Sequence, residues 1–260
     1  MARGHGNKEF WLDALRANAA AMRSAFEDGA ASEAGLATPV PSCPDWRLLD
    51  LIHHVGLVYL RIRSHVSRGV TSKPESDPRD SVGELPTDAT AIQWWAGEYE
   101  ELVTLLDALD PQMPAWNWAP ASKQAAFWHR RMAHETAVHR WDAQMAVGAA
   151  EPIETKLAVD GVTEVLDTWL PAGRRKGPVD RTGVVELFAT DAEEDWFVRL
   201  RNEGVALLDT DTWLDHDDPH TRVLARGTAS DLELSLYGRV PFDVLEITGD
   251  ASLLETLRTG

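Results

Sequence analysis

The 260-residue chain has little cysteine, little positive charge and no long apolar run. Its single cysteine, Cys43, excludes a disulfide within the chain and favours a reducing compartment. Lys and Arg number 25 against 42 Asp and Glu, and the resulting net charge of −17 disfavours nucleic acid and anionic membranes as partners. No apolar run approaches the roughly 20 residues of a transmembrane helix, and residues 1–9 are polar, unlike a signal peptide. We therefore expect a cytoplasmic protein.

The length suits two domains, and two sequence textures divide the chain. In the first part, apolar residues recur every three or four positions, which predicts helices. Further along, short runs rich in Val, Leu, Phe and Trp predict β-strands. We expect an α+β protein in which a four-helix bundle, residues 1–172, precedes a small α+β domain, residues 173–260. The predicted helices of the first part cover about residues 11–26, 45–66, 89–109, 122–147 and 153–170, and a Pro- and Gly-containing linker is predicted at 171–183.

The predicted helix at 122–147 contains the most informative pattern. Trp128, Met132, Glu135, His139 and Asp142 follow one another at steps of three or four and therefore share one face. A carboxylate and an imidazole on a buried face need partners, because burying them alone is costly. Their i, i+4 spacing places Glu135 and His139 about 40° apart around the helix. They therefore either pair with each other or bind a metal ion together.

The segment at 134–139 is not the zinc-protease motif H-E-x-x-H, because it is one residue too long. His134 and His139 lie roughly 140° apart around a helix and cannot bind the same ion. A third ligand must come from another helix, and the predicted second helix offers His53 and His54. Helix bundles commonly build metal sites from facing helices, and three protein ligands with one open position are typical of catalytic zinc.

Three separated blocks of the sequence contain distinctive motifs: Cys43–Trp46 with Asp50–Gly56; Arg131–Ala143; and Gly227–Leu232, Leu236–Arg239 and Gly249–Asp250. The first block resembles the pattern P-x-W followed by D-L-x-x-H-x-G, and the second resembles R-x-x-H-E-x-x-x-H-R-x-D-A. These are patterns of the mycothiol-dependent maleylpyruvate isomerase family, whose members belong to the DinB-like metal-binding four-helix bundles. The third block resembles parts of that family's C-terminal domain.

The resemblance implies a ligand set and a chemistry. The family's metal histidine lies two residues before the glycine of its first motif, which implies His54 and not His53; the other implied ligands are Glu135 and His139. The metal is a divalent ion, typically zinc, and the thiol cosubstrate is mycothiol. An arginine of the C-terminal domain takes part in catalysis in the family, and Arg239 matches it. The implied enzyme activates the thiol as a metal-bound thiolate, while Arg239 binds a substrate carboxylate or a developing negative charge.

The reaction itself stays open between two thiol chemistries. A cis-trans isomerase of the maleylpyruvate type would release the thiol again, whereas an S-transferase would leave it on a small electrophilic substrate. A metal-dependent hydrolase using zinc-bound water is one alternative, and a non-catalytic metal-binding regulator is another. We expect small molecules as partners, no nucleic acid or membrane, and a monomer or weak homodimer.

Five other residues have two interpretations each. Asp50 and Asp142 lie one turn from the implied ligands. A carboxylate there either orients the imidazole of the ligand or has only a favourable interaction with its own helix. Cys43 is a possible nucleophile, but a lone cysteine without an evident base is predicted to be packing. His216 and His220 have a spacing that would suit a metal, but the surrounding Asp and Pro residues predict an exposed loop.

Overall fold

The computed structural model describes residues 6–202, 204–208 and 221–260. The described chain divides into two compact units, residues 6–151 and 152–260. The boundary expected from the sequence, between residues 172 and 173, lies further along the chain than this division. His216 and His220 lie outside the described residues.

Four α-helices account for most of the first unit and pack as a bundle. α1 packs mainly against α4, and α2 packs against α3. Their largest side chains meet inside: Phe26 contacts Trp95 edge to face, with ring centroids 5.2 Å apart. No helix among the described residues combines the length and the apolar character needed to cross a membrane. The helices are α1 (Lys8–Ala31), α2 (Leu48–Val66), α3 (Thr90–Ala108) and α4 (Ala125–Ala146).

The start of α2 differs from the sequence prediction, in which the helix begins at about residue 45. Asp45 lies in a turn with φ of 69°, in the left-handed region, and the helix begins at Leu48. Asp50, in the first helical turn, accepts the backbone N–H of Arg47 at 2.8 Å. This carboxylate therefore satisfies a backbone donor that the helix leaves without an internal partner.

α4 is buried on nearly every side rather than along one stripe. The two ring nitrogens of His129 lie 2.8 Å from the carbonyl oxygens of Ala125 and Leu106. Arg140 donates from Nε to Asn18 of α1 at 3.0 Å. Buried polar groups need hydrogen-bond partners, so these side chains of α4 tie it to its neighbours and set its position in the bundle.

The second unit begins with α5 (Thr155–Glu164), which continues into one π-helical turn, Val165–Trp169. Its described strands form a five-stranded sheet in the order β3-β2-β1-β4-β5, and α6 (Ala229–Leu236) lies between β4 and β5 in the chain. Neighbouring strands are antiparallel except for the parallel pair β1 and β4. The strands are β1 (Thr182–Ala189), β2 (Glu194–Arg201), β3 (Gly204–Leu208), β4 (Arg222–Gly227) and β5 (Glu246–Gly249). A helical first unit and this sheet confirm the predicted α+β class.

α5 belongs to the second unit because its side chains are bonded there. The Trp196 indole N–H of β2 donates to Thr163 Oγ1 at 2.9 Å, and the Tyr237 hydroxyl donates to Glu164 at 3.1 Å. All four of these residues are buried. The boundary predicted from the sequence was based on a run of Pro, Gly and basic residues. The structure instead divides the two units before α5, because the buried contacts of α5 are with the second unit.

Candidate metal centre

Two helices of the first unit bring His54, Glu135 and His139 together. His54 comes from α2, and Glu135 and His139 come from successive turns of α4. Glu135 Oε1 lies 3.5 Å from His54 Nε2 and 3.4 Å from His139 Nε2. Among the residues that the structure describes, this is the one set of three His, Cys, Asp or Glu side chains whose donor atoms all lie within 4.8 Å of one another.

Arg131 holds Glu135 from the preceding turn of α4. Arg131 Nη2 donates to Glu135 Oε2 at 2.8 Å, so the other oxygen, Oε1, is the one that faces the two histidines. Burial alone would raise the pKa of Glu135, but its contacts with His139 and His54 and the charge of Arg131 outweigh burial and hold that pKa well below its usual range. The carboxylate is therefore ionised at neutral pH.

Asp142 holds His139 from the opposite side of the ring. Asp142 Oδ2 lies 2.8 Å from His139 Nδ1, and Asp142 Oδ1 accepts the Ser42 hydroxyl at 2.6 Å. Burial alone would lower the pKa of His139, but the hydrogen bond with Asp142 and the contact with Glu135 raise it above its usual value. Both ring nitrogens face carboxylates, which only accept hydrogen bonds, but the contact of Nδ1 with Asp142 at 2.8 Å is shorter than that of Nε2 with Glu135 at 3.4 Å. In the neutral ring the proton therefore lies on Nδ1, and Nε2 faces Glu135.

The indole of Trp46 covers the imidazoles from the loop before α2. Its ring centroid lies 4.8 Å from that of His54, and it stacks on His139 at 6.4 Å with an interplanar angle of 15°. The two imidazoles are themselves 4.9 Å apart. His139 is 6 % exposed, whereas the side chain of His54 is 36 % exposed. The set is therefore reached from the side of His54.

His53 points elsewhere, although it is adjacent to His54. Its Nε2 lies 2.7 Å from the Pro86 carbonyl oxygen, and its ring packs edge to face on Trp94 at 5.9 Å. Successive residues of a helix lie about 100° apart around its axis, so only one of two adjacent histidines can face α4. That residue is His54.

The donor set suits a zinc-sized divalent ion. Zinc binds His nitrogen and carboxylate oxygen at about 2.0–2.2 Å in tetrahedral geometry, which puts two ligand atoms about 3.4 Å apart. The distances of 3.4 and 3.5 Å from Glu135 Oε1 to the two histidine nitrogens match that spacing. Two imidazoles and one carboxylate also leave a fourth position for water or a substrate atom, as in catalytic sites.

The first unit matches the model of the mycothiol maleylpyruvate isomerase N-terminal domain over residues 12–144. The second unit matches the C-terminal domain of the same family, MDMPI, over residues 156–256. The chain belongs to the mycothiol maleylpyruvate isomerase family. Comparison with the curated proteins found no significant match.

The two family domains coincide with the two compact units, and the three converging side chains lie in the N-terminal domain. Arg239 lies in the C-terminal domain, just past the end of α6, and is partly exposed. Its Nη1 donates to the Tyr237 carbonyl at 3.0 Å. A role for Arg239 in catalysis stays a prediction.

Three residues that support the site were not singled out from the sequence for this role. Trp46 and Arg131 lie inside the motifs of the resemblance, so their presence there was a usable signal. Ser42 precedes the first motif and bonds to a residue 100 positions away. No local pattern indicates such a contact. Cys43 is buried in the core of the first unit, as the packing interpretation expects.

Proposed function

We propose that the protein is a mycothiol-dependent metalloenzyme in which His54, Glu135 and His139 bind one divalent ion, zinc by preference. The observation that supports this most directly is the spacing of Glu135 Oε1 from two imidazole nitrogens, at 3.5 and 3.4 Å, in a domain of the mycothiol maleylpyruvate isomerase family. A bound divalent ion lowers the pKa of a thiol that reaches it, so the nucleophile is available as the thiolate at neutral pH.

The residues around the set act by positioning and by excluding water. Arg131 keeps Glu135 Oε1 turned toward the histidines, and Asp142 keeps the proton of His139 on Nδ1. Trp46 covers one side of both rings, which lowers the local polarity and strengthens electrostatic interactions at the set. The exposed edge of His54 is where the thiol and a small electrophilic substrate would approach.

Arg239 is the proposed catalytic group of the C-terminal domain. A guanidinium presents a planar fork that binds a carboxylate through two hydrogen bonds. It would hold a substrate carboxylate or stabilise negative charge that develops after thiol attack.

A cytoplasmic location and a monomer or weak homodimer are part of the same proposal.

Metal content and thiol dependence test the proposal together. We expect the purified protein to bind close to one zinc per chain, and His139→Ala to lose most of it because two ligands bind far more weakly than three. His53→Ala is the matched control. His53 is adjacent to His54 but its Nε2 lies 2.7 Å from the Pro86 carbonyl oxygen, so this variant should keep its zinc. Full zinc retention in His139→Ala would contradict the ligand set.

Mass spectrometry of the zinc-loaded protein, incubated with mycothiol and a panel of small electrophiles, identifies the reaction class. A product that carries the thiol supports an S-transferase, and an isomerised product without it supports an isomerase. Turnover that does not need a thiol would point to a hydrolase instead. Zinc binding without any turnover would leave a metal-binding regulator as the function.

A further inference from the structure

A chain of hydrogen bonds links the loop before α2 to one of the proposed ligands. The Ser42 hydroxyl donates to Asp142 Oδ1 at 2.6 Å, and Asp142 Oδ2 accepts from His139 Nδ1 at 2.8 Å. Asp142 is fully buried, His139 is 6 % exposed, and Ser42 is partly exposed. Both carboxylate oxygens are therefore engaged, one by the loop and one by the imidazole.

We propose that Ser42 and Asp142 are positioning residues for His139: together they hold the proton on Nδ1 and direct Nε2 to the metal. This inference rests on the proposed metal site and adds to it the residues that set its affinity. A histidine ligand that donates its other ring N–H to a carboxylate is held in one tautomer and one orientation, and loss of such a partner weakens metal binding.

The loop that carries Ser42 is constrained by its own backbone. Its backbone is closed by three hydrogen bonds of 2.9–3.0 Å: Val40 N–H to the Trp46 carbonyl, Cys43 N–H to the Val40 carbonyl, and Trp46 N–H to the Cys43 carbonyl. Asp45 sits inside the loop with a positive φ of 69°. The same loop therefore contacts both imidazoles directly through Trp46 and reaches His139 indirectly, through the Ser42 hydroxyl and Asp142.

The chain contains a matched comparison for Asp142. Asp50 lies one turn before His54, as Asp142 lies one turn after His139, and the sequence does not distinguish the two. The structure does, because Asp50 accepts the backbone N–H of Arg47 at the start of α2 and Asp142 bonds a ligand. Asp50→Asn is therefore a control: it removes a negative charge from α2, the helix that carries His54, but breaks no hydrogen bond to an imidazole.

The experiment measures zinc affinity by competition with a chromogenic chelator, using the full-length protein and zinc alone. We expect Asp142→Asn to weaken zinc binding by about 10- to 100-fold and Ser42→Ala to weaken it by about three- to tenfold, because the carboxylate then keeps one partner fewer. Ser42→Thr retains a hydroxyl and should restore affinity to within about twofold of the original. Asp50→Asn and Ser32→Ala should bind zinc as the unmodified protein does. Within the described part of the chain, the Ser32 hydroxyl lies 2.7 Å from the Gly29 carbonyl and 3.3 Å from the Thr38 hydroxyl, and neither contact involves the metal site.

A second readout separates positioning from a general loss of structure. Nitrogen-15 NMR of the histidine rings in the zinc-loaded protein should show a protected Nδ1–H on His139, and this proton should exchange faster in Ser42→Ala and be shifted in Asp142→Asn. The melting temperature of the zinc-free variants is recorded alongside; if Asp142→Asn does not fold, the Ser42→Ala and Ser42→Thr pair decides the result.

The outcomes distinguish the two proposals. Unmodified protein that does not bind zinc overturns both the proposed function and this inference. Zinc binding by the unmodified protein with unchanged affinity in Ser42→Ala and Asp142→Asn overturns the inference alone. Weaker binding with an unchanged Nδ1–H signal also overturns it, because the loss would then come from the fold and not from the orientation of His139.

Discussion

His65 should make the stability of the protein fall as the pH drops below 7. It lies on α2, is 3 % exposed, and packs edge to face on Trp116 at 5.5 Å. Neither of its ring nitrogens has a hydrogen-bond partner among the described residues. Burial, followed by the charge of Arg61, lowers its pKa to about 4; Asp77 opposes this, and Arg68 and Arg79 add to it.

The size of the effect follows from the difference between the two states. The unfolded chain binds a proton at His65 with an ordinary pKa of about 6.5, whereas the folded chain does so only near pH 4. This contribution to stability is therefore complete above pH 6.5 and is lost as the pH falls from 6.5 toward 4. Linkage gives a loss of about 1.8 kcal/mol between pH 7 and pH 5 from this one residue.

His65→Leu tests the argument, because leucine is similar in volume and does not titrate. Urea unfolding followed by tryptophan fluorescence at pH 7 and pH 5 measures the difference. We expect the loss of stability between the two pH values to be about 1.8 kcal/mol smaller in His65→Leu than in the unmodified protein. At pH 7 the variant should be equally stable or more stable, since two unpartnered buried nitrogens are removed.

Val66→Ala is the control for destabilisation without titration. Val66 is 2 % exposed and adjacent to His65. Removing two of its buried carbons should lower the free energy of unfolding by about 2 kcal/mol, and by the same amount at both pH values. An unchanged pH dependence in His65→Leu would refute the assignment of the acid sensitivity to His65.

Two further predictions concern other parts of the molecule. Arg239→Lys should keep its zinc and its melting temperature but lose at least about tenfold in turnover, because lysine lacks the planar fork of the guanidinium. That loss corresponds to roughly 1.4 kcal/mol of transition-state stabilisation. If Arg239→Lys and Arg239→Ala both turn over as fast as the unmodified protein, Arg239 takes no part in the chemistry. Tyr59→Phe should lower the free energy of unfolding by about 1–2 kcal/mol, because the buried Tyr59 hydroxyl lies 2.7 Å from Thr136 Oγ1 and its loss leaves that hydroxyl without this partner. A urea titration measures the second, and Tyr59→Phe with Thr136→Val, which removes both hydroxyls, should recover part of the loss.

Much of the fold could be predicted because helices and strands each impose a characteristic spacing on the apolar residues of a short segment. Apolar residues at steps of three and four predicted the helices, and α3 and α4 begin and end within a few residues of the predicted bounds. Short runs rich in Val, Leu, Phe and Trp predicted strands in the same way, and β1 and β2 contain such runs. Ends that depend on backbone conformation were less predictable: α2 starts after Asp45 because that residue adopts a positive φ in a turn.

The pairing of Glu135 with His139 was also determined by sequence alone. Residues four apart on one helix face the same way whatever the rest of the chain does. The family motif then placed His54 opposite them, and the structure brings the three together. His134 was excluded by the same helical geometry, since five residues rotate it away from His139.

Only the tertiary structure decided which residues support that set. Asp50 and Asp142 each lie about one helical turn from a histidine, yet Asp50 caps α2 and Asp142 bonds His139. The division of the two units at residue 152 likewise follows buried contacts of α5, and the Pro- and Gly-containing segment that predicted a later boundary does not mark it. Ser42 reaches Asp142 across 100 residues of chain. Such contacts depend on how far each helix is rotated and shifted when the whole core packs, and that is a sum over many side chains rather than a property of any short segment.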